Sequence, residues 1–258
     1  MDRLYLLTEE QFQQINRCLP PEDQGRGRPP KISNRDALEG VLHILRTGTP
    51  WRDLSAAYGH WHTIYMRWWR WIERGIWPTL LKMLKRLKGL SLRIVFADST
   101  LVRAHHHAAG ALRRYGNQSL GRSRGGLTTK IHVLCTSESD ALEVRLTPGQ
   151  AGDAPTGEVL IDTMDCRDGI AQAVMDKAYD SNTIRAQLNS KGIEPVIPPK
   201  ANRVDFITYD HQSYQQRKQV ERLINKLKQF RRVATRYEKL SSTFLAFVTL
   251  GFIVIMLR

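Results

Sequence analysis

Cysteine is scarce in this chain. Three residues in 258, Cys18, Cys135 and Cys166, are odd in number and none has the spacing of a zinc motif. That argues against a disulfide framework or a structural zinc site and fits a reducing, cytoplasmic setting. Long apolar runs are missing as well. The strongest, residues 244–257 (FLAFVTLGFIVIML), has fourteen residues and includes Thr249 and Gly251. A spanning helix needs about 20, so the stretch reads as a buried C-terminal helix. The opening MDRLYLLTEEQ has neither the basic start nor the apolar centre of a signal peptide. Acidic residues are also in short supply, with 25 Asp and Glu against 39 Lys and Arg, a net charge of +14 and a pI near 10.0.

The positive charge is clustered: Lys82, Lys85, Arg86 and Lys88, then Arg113, Arg114, Arg122 and Arg124, then residues 226–239. Such clustering is an electrostatic footprint for a polyanion. All six tryptophans fall between positions 51 and 77, a shift in composition that marks a separate N-terminal unit. Within it, Ser33 and Asp36 resemble a capping box opening a helix that Gly48 stops. Thr49 and Pro50 suit the cap and first position of a short helix WRDLSAAY, and HWHTIYMRWWRWIERG supplies a third. Three helices with a tight turn outline a helix-turn-helix. On the third, Arg67, Arg70 and Arg74 lie within roughly 60°, opposite Ile64, Tyr65, Trp68, Trp69, Trp71 and Ile72, so that helix is the expected DNA reader. The preceding PPEDQGRGRPPK reads either as a plain linker or, through Arg26 and Arg28, as an arginine pair for a narrow minor groove.

Near the other end, HQSYQQRKQVERLINKLKQFRR has the marks of one long helix. Tyr214, Arg217, Glu221 and Lys228 stand at offsets of zero, three, seven and fourteen, which puts them within an arc of roughly 60° at about 100° per residue. Val220, Leu223, Ile224, Leu227 and Phe230 fill a separate apolar arc that can dock on a core. A glutamate beside two cations is ordinarily a solvated helix surface unless other carboxylates meet it. Two candidates exist. SLRIVFADSTLVRAH reads as a buried strand ending in Asp98, and IAQAVMDKAYDS as a short apolar run ending in Asp176, with Asp180 and Ser181 capping the helix that follows. Carboxylates of this kind suit Mg2+, or Mn2+ in its place, and two such ions suit phosphodiester chemistry.

ADST at 97–100, DKAYDS at 176–181 and the Tyr214, Arg217, Glu221, Lys228 signature resemble the DDE transposases of bacterial insertion sequences, in the group named after insertion sequence five. The GTPWRDLSAAYG and WHTIYMRWWRWIERGIW segments are similar to the N-terminal domain of the same proteins, so the likeness covers almost the whole chain. It implies an α/β fold, a ribonuclease-H-like mixed five-stranded sheet with flanking helices, preceded by an all-α helix-turn-helix-like domain. Residues 1–80 would bind DNA, 81–90 would be a basic linker helix, and 91–258 would be catalytic. Asp98, Asp176 and Glu221 would hold two Mg2+ ions, cleave DNA at terminal inverted repeats and join the freed 3′ hydroxyl to a target. Tyr214, Arg217 and Lys228 would contact the DNA. A homodimer or larger assembly on DNA, in the bacterial cytoplasm at the nucleoid, is implied. The 78 residues from 98 to 176 and 45 from 176 to 221 leave no room for an insertion domain between the last two acids.

GGLTTKIHVLCTS and ALEVRLTPGQ alternate as two antiparallel strands around a turn at 137–140, a helix is expected near 156–164, and IEPVIPP would be a last strand. Asp153 and, more weakly, Asp180 are rivals to Asp176 for the middle acid, but a capping role suffices for Asp153. His105, His106 and His107 form a run that could suggest zinc, but consecutive side chains on an extended chain face opposite ways and no fourth ligand has suitable spacing, so contact with DNA or solvent is the role expected of them. The competing functions are a stand-alone nuclease of the ribonuclease H superfamily and a non-catalytic DNA-binding repressor.

Overall fold

The computed structural model describes residues 7–22, 31–90, 92–164 and 169–258. Arg26, Arg28 and Cys166 lie outside the described residues. In chain order the elements are α1 (Glu9–Asn16), α2 (Asn34–Thr47), α3 (Trp61–Glu73), α4 (Ile76–Leu87), β1 (Ile94–Ala104), β2 (Gly121–Ser123), β3 (Gly126–Cys135), β4 (Ala141–Pro148), α5 (Asp153–Asp162), β5 (Gln172–Met175), α6 (Asn182–Ser190), β6 (Glu194–Val196), α7 (His211–Gln215), α8 (Lys218–Lys228), α9 (Arg231–Ala234), β7 (Thr235–Arg236) and α10 (Ser241–Met256).

The main strands run in the order β4-β3-β1-β5-β6. The first three are antiparallel and the last two run parallel to β1, with Phe96 opposite Cys135 on one side and Val174 on the other. This is the mixed five-stranded sheet expected, with short additions: β2 extends the edge at β3 and β7 joins the far end of β1. Side chains alternate across the sheet, so β1 sends Val95 and Ala97 to one face and Phe96 and Val102 to the other. The first face is covered by α5 and α6 through Leu160, Ile161, Ile184 and Leu188. The second is covered by α8 and α10 and, in the same continuous core, by the tryptophan-rich N-terminal helices.

Local chemistry explains where the N-terminal elements start and stop. Ser33 and Asp36 form the capping box at α2, and Gly48 ends it in the left-handed conformation at φ 74° that favours glycine. The expected helix over WRDLSAAY is instead two 3-10 turns, at Trp51–Asp53 and Ala56–Tyr58. Thr49 does not cap them, because its hydroxyl pairs with that of Thr47 at 2.7 Å. Gly59, at φ 112°, then passes so close to Ile32 that a Cβ would meet its side chain at 2.6 Å. The expected linker helix is part of α4, which begins at Ile76 and buries Trp77, Leu80, Leu81 and Leu84. Residues 244–257 lie in or directly after α10, whose side chains are almost all buried. Among the described residues no helix is long and apolar enough to cross a membrane.

Candidate active site at an open edge of the central strand

Asp98 is not at a strand end. β1 continues six residues beyond it, to Ala104. Its neighbour stops, however: β5 ends at Met175, opposite Ala97, and β7 does not pair until Arg103. One edge of β1 is therefore open from Asp98 to Val102, and Asp176, the residue after Met175, lies beside that opening. Its carboxylate accepts from the Lys177 backbone N–H at 2.6 Å and caps a 3-10 turn. Both acids thus stand where a parallel pair separates.

The expected long helix is broken into α7, α8 and α9. The Arg217 and Val220 amides donate to the Tyr214 and Arg217 carbonyls, three residues back, so the chain tightens there and 100° per residue does not hold across the joint. Tyr214 consequently sits on α7, Arg217 at the N-cap of α8, and Glu221 in its first turn. The apolar arc of α8, Val220, Leu223, Ile224 and Leu227, is buried as the wheel required. Arg217 closes the site: its Nη1 donates to Asp98 Oδ2 at 2.7 Å and its Nη2 to Glu221 Oε1. The same guanidinium lies over the Tyr214 ring, 6.0 Å from its centroid.

Burial pushes the Asp98 carboxyl above its ordinary range; the Ser99 amide and Arg217 oppose the shift, while the neighbouring Asp176 and Glu221 add to it. A half-buried acid crowded by two others, with one arginine between, is a donor set of hard oxygens short of positive charge. Divalent cations fit that chemistry. The three carboxylates do not converge on one point, since the one group of three or more ligand atoms within 4.8 Å of one another among the described residues is His105, His106 and His107. Lys228 is exposed and, among the described residues, makes no ion pair with the acids.

Asp153 lies on the opposite face of the sheet. Its Oδ1 accepts from Ser99 Oγ at 3.0 Å and from Lys130 Nζ at 2.8 Å. It is the first residue of α5, after the N-cap Gly152, and its carboxylate makes no cap bond. The capping role expected for it is thus replaced by an ion pair. Beside it His132 is fully buried, bonded through Nε2 to the Thr147 hydroxyl at 2.8 Å, and burial pushes its pKa down to about 4. Asp180 is committed too. Burial alone would raise its pKa, but Arg203, the Lys200 amide and Arg185 hold it down to about 2. Nothing periodic in the sequence marked that clamp, whose donors lie 5, 20 and 23 residues beyond Asp180.

Arg70 on α3 and Arg74 at its C-cap are exposed, whereas Arg67 is half-buried and donates to Asn34 Oδ1 at 3.3 Å. The expected packing face holds, with Ile64, Trp68 and Trp71 buried. The histidine run departs from expectation: the chain leaves β1 and turns at His106–Ala108, which gathers the three rings on one side.

Residues 7–81 match a family described as "Putative transposase of IS4/5 family", and residues 89–257 match the "Transposase DDE domain" family. The chain is 34% identical over 134 residues to a Brucella ovis protein described as "Putative transposase for insertion sequence element IS6501", covering 51% of this chain and 100% of that protein. It is 31% identical over 116 residues to an uncharacterized 16.2 kDa protein of insertion element IS402 from Burkholderia cepacia, covering 43% of this chain and 79% of that one. Among solved structures, the Mos1 transposase paired-end complex with left transposon end is similar at 14% identity and a TM-score of 0.28, over 89% of this chain and 79% of that one.

Proposed function

The chain belongs to the DDE transposases, and from that premise we propose that Asp98, Asp176 and Glu221 are its catalytic carboxylates. The observation that carries the proposal is the Arg217 bridge, which unites Asp98 and Glu221 across 119 residues of chain from Asp98 to Arg217 in one charge cluster beside Asp176. The three acids would hold two Mg2+ ions, with Mn2+ as a substitute. When bound, such ions supply Lewis acidity for phosphodiester cleavage and transfer. Arg217 is placed to turn from the acids to a phosphate of the DNA, as a guanidinium pairs with either. Tyr214 supports its plane, and Lys228 lies further along α8 as a phosphate contact.

Residues 1–80 are proposed to hold the terminal inverted repeats, with Arg70 of α3 and Arg74 at its C-cap facing the duplex and Arg67 both bracing α2 and bordering that face. Residues 81–90 supply basic charge, residues 91–258 the chemistry, and pairing of two element ends calls for at least a homodimer on DNA. The test incubates purified protein with labelled DNA carrying the flanking inverted repeat, in Mg2+ or Mn2+, and compares wild type with Glu221→Gln. Nicking at the repeat boundary and joining to a second DNA, both reduced by about 10³-fold or more in the variant, is the expected result. Undiminished cleavage by Glu221→Gln would overturn the triad, and boundary binding without nicking by wild type would favour a repressor.

A further inference from the structure

Asp98 is held on one oxygen by Arg217 and on the other by its own strand. Backbone groups alternate sides along a strand, and the carbonyl of Arg93, just before β1, accepts from the Ala171 and Gln172 amides. Odd-numbered residues of β1 therefore turn their amides toward β5. Ser99 is the first of these beyond the last pair with β5, Ala97 opposite Met175, and its amide donates to Asp98 Oδ1 at 2.8 Å. A ladder donor left over where β5 stops becomes a hold on the acid.

The Ser99 side chain lies on the opposite face from Asp98, and its Oγ donates to Asp153 Oδ1 at 3.0 Å. That carboxylate opens α5 and is anchored to β3 by Lys130, whose Nζ donates to it at 2.8 Å and to the Ala151 carbonyl at 2.6 Å. α5 braces the second acid as well. Gly157 brings it so close to Tyr179 that a Cβ would meet the ring at 2.6 Å, and Tyr179 belongs to the turn that Asp176 caps. The Lys130 pair alone would tie α5 to the sheet. What the Ser99 bond adds is a tie to the residue whose amide holds Asp98, on a stretch of β1, residues 98–102, that among the described residues has no strand on that side.

We propose that Ser99 and Asp153 are positioning residues for metal binding: Asp153 fixes Ser99 from behind the sheet, and Ser99 fixes the Asp98 carboxylate so that Oδ2, held by Arg217 in this structure, is the oxygen offered to the ion. This rests on the assignment of Asp98 to the catalytic acids. A partner that orients a ligand without touching the ion changes metal affinity about 10- to 100-fold when it is removed.

The experiment uses full-length protein without DNA and follows Mn2+ binding by the electron paramagnetic resonance of the unbound ion, with DNA cleavage, repeat binding and melting temperature read beside it. Ser99→Ala, which leaves every charge in place, should weaken Mn2+ binding about 10- to 100-fold and raise the Mg2+ concentration for half-maximal cleavage by a similar factor, with repeat binding as in wild type. Ser99→Thr keeps a hydroxyl and suits a strand, and should restore both. Asp153→Asn keeps an acceptor for Ser99 but loses the charge that pairs with Lys130, so it should melt at lower temperature than wild type and still bind Mn2+ more tightly than Ser99→Ala. Wild-type Mn2+ affinity in Ser99→Ala, or losses that follow melting temperature across the three variants instead of the Ser99 bond, would overturn the proposal. Failure of the Asp98 assignment would show separately, as undiminished Mn2+ binding and cleavage by Asp98→Asn.

Discussion

Arg217 is the residue on which the site's charge balance turns. It is the cation shared by Asp98 and Glu221, and the Asp98 side chain is only 15% exposed. Removing one partner of a buried pair leaves the other unpaired, which is worth roughly 1–3 kcal/mol. Arg217→Ala should therefore unfold at lower temperature than wild type without metal, and Mg2+ should raise its melting temperature more than that of wild type. Equal Mg2+ shifts in both proteins would show that the arginine and the ion do not answer the same charge. His132 gives a second prediction. Its pKa in the fold is about 4, below the ~6.5 of an unfolded histidine, so between those values the unfolded chain binds a proton that the native state refuses. Stability is then fully present above about pH 6.5 and lost as the pH falls toward 4, by on the order of 3 kcal/mol. Chemical denaturation at pH 7.5 and pH 5 should show the slope in wild type and a shallower one in His132→Gln.

At the level of elements, α8 is held in place by α10, and the contact is close. A Cβ on Gly251 would meet Leu227 Cδ1 at 2.8 Å and Phe230 Cδ2 at 3.3 Å. Gly251→Val should overpack that joint, cost about 1–3 kcal/mol in denaturant unfolding, and lower strand cleavage by displacing Glu221, while the repeat binding proposed for α3 is kept. Loss of stability with full cleavage would mean that the joint does not position the acid. The elements that were legible in the sequence are those whose cause is local: the Ser33–Asp36 box, the Gly48 stop, the apolar arc of α8, the cap at Ser181. What was not legible depends on partners remote in the chain. Asp98 looked like a strand end because a polar residue interrupts an apolar run, whereas β1 continues by pairing with β3. The helix at 211–232 looked continuous because periodicity cannot register a turn that tightens to three residues at Arg217. The acids were proposed from residue type and order, whereas the Arg217 link between Asp98 and Glu221 is a property of the packed sheet.

The whole molecule is bound by a core that does not respect the boundary between the helical third and the sheet. Trp68 of α3 is fully buried, its ring 4.9 Å from Trp77 of α4 and 4.7 Å from Phe247 of α10, and Trp51 also approaches Phe247, at 6.3 Å. α10, the last helix of the chain, thus packs between the proposed DNA-holding helices and the face of the sheet that carries Asp98. An end bound by α3 is then connected to the acids through packed side chains rather than through a free tether. Two consequences can be measured. Tryptophan fluorescence, which reports on residues 51–77, and far-ultraviolet circular dichroism, which reports on every element, should trace one coincident unfolding transition. Trp68→Ala should lower the stability read by both probes by about 3–5 kcal/mol, the usual effect of deleting a buried large aromatic. Two separated transitions, with the sheet unfolding as in wild type when Trp68 is removed, would instead show that the two parts hold together independently and that the bound end is free to move relative to the acids.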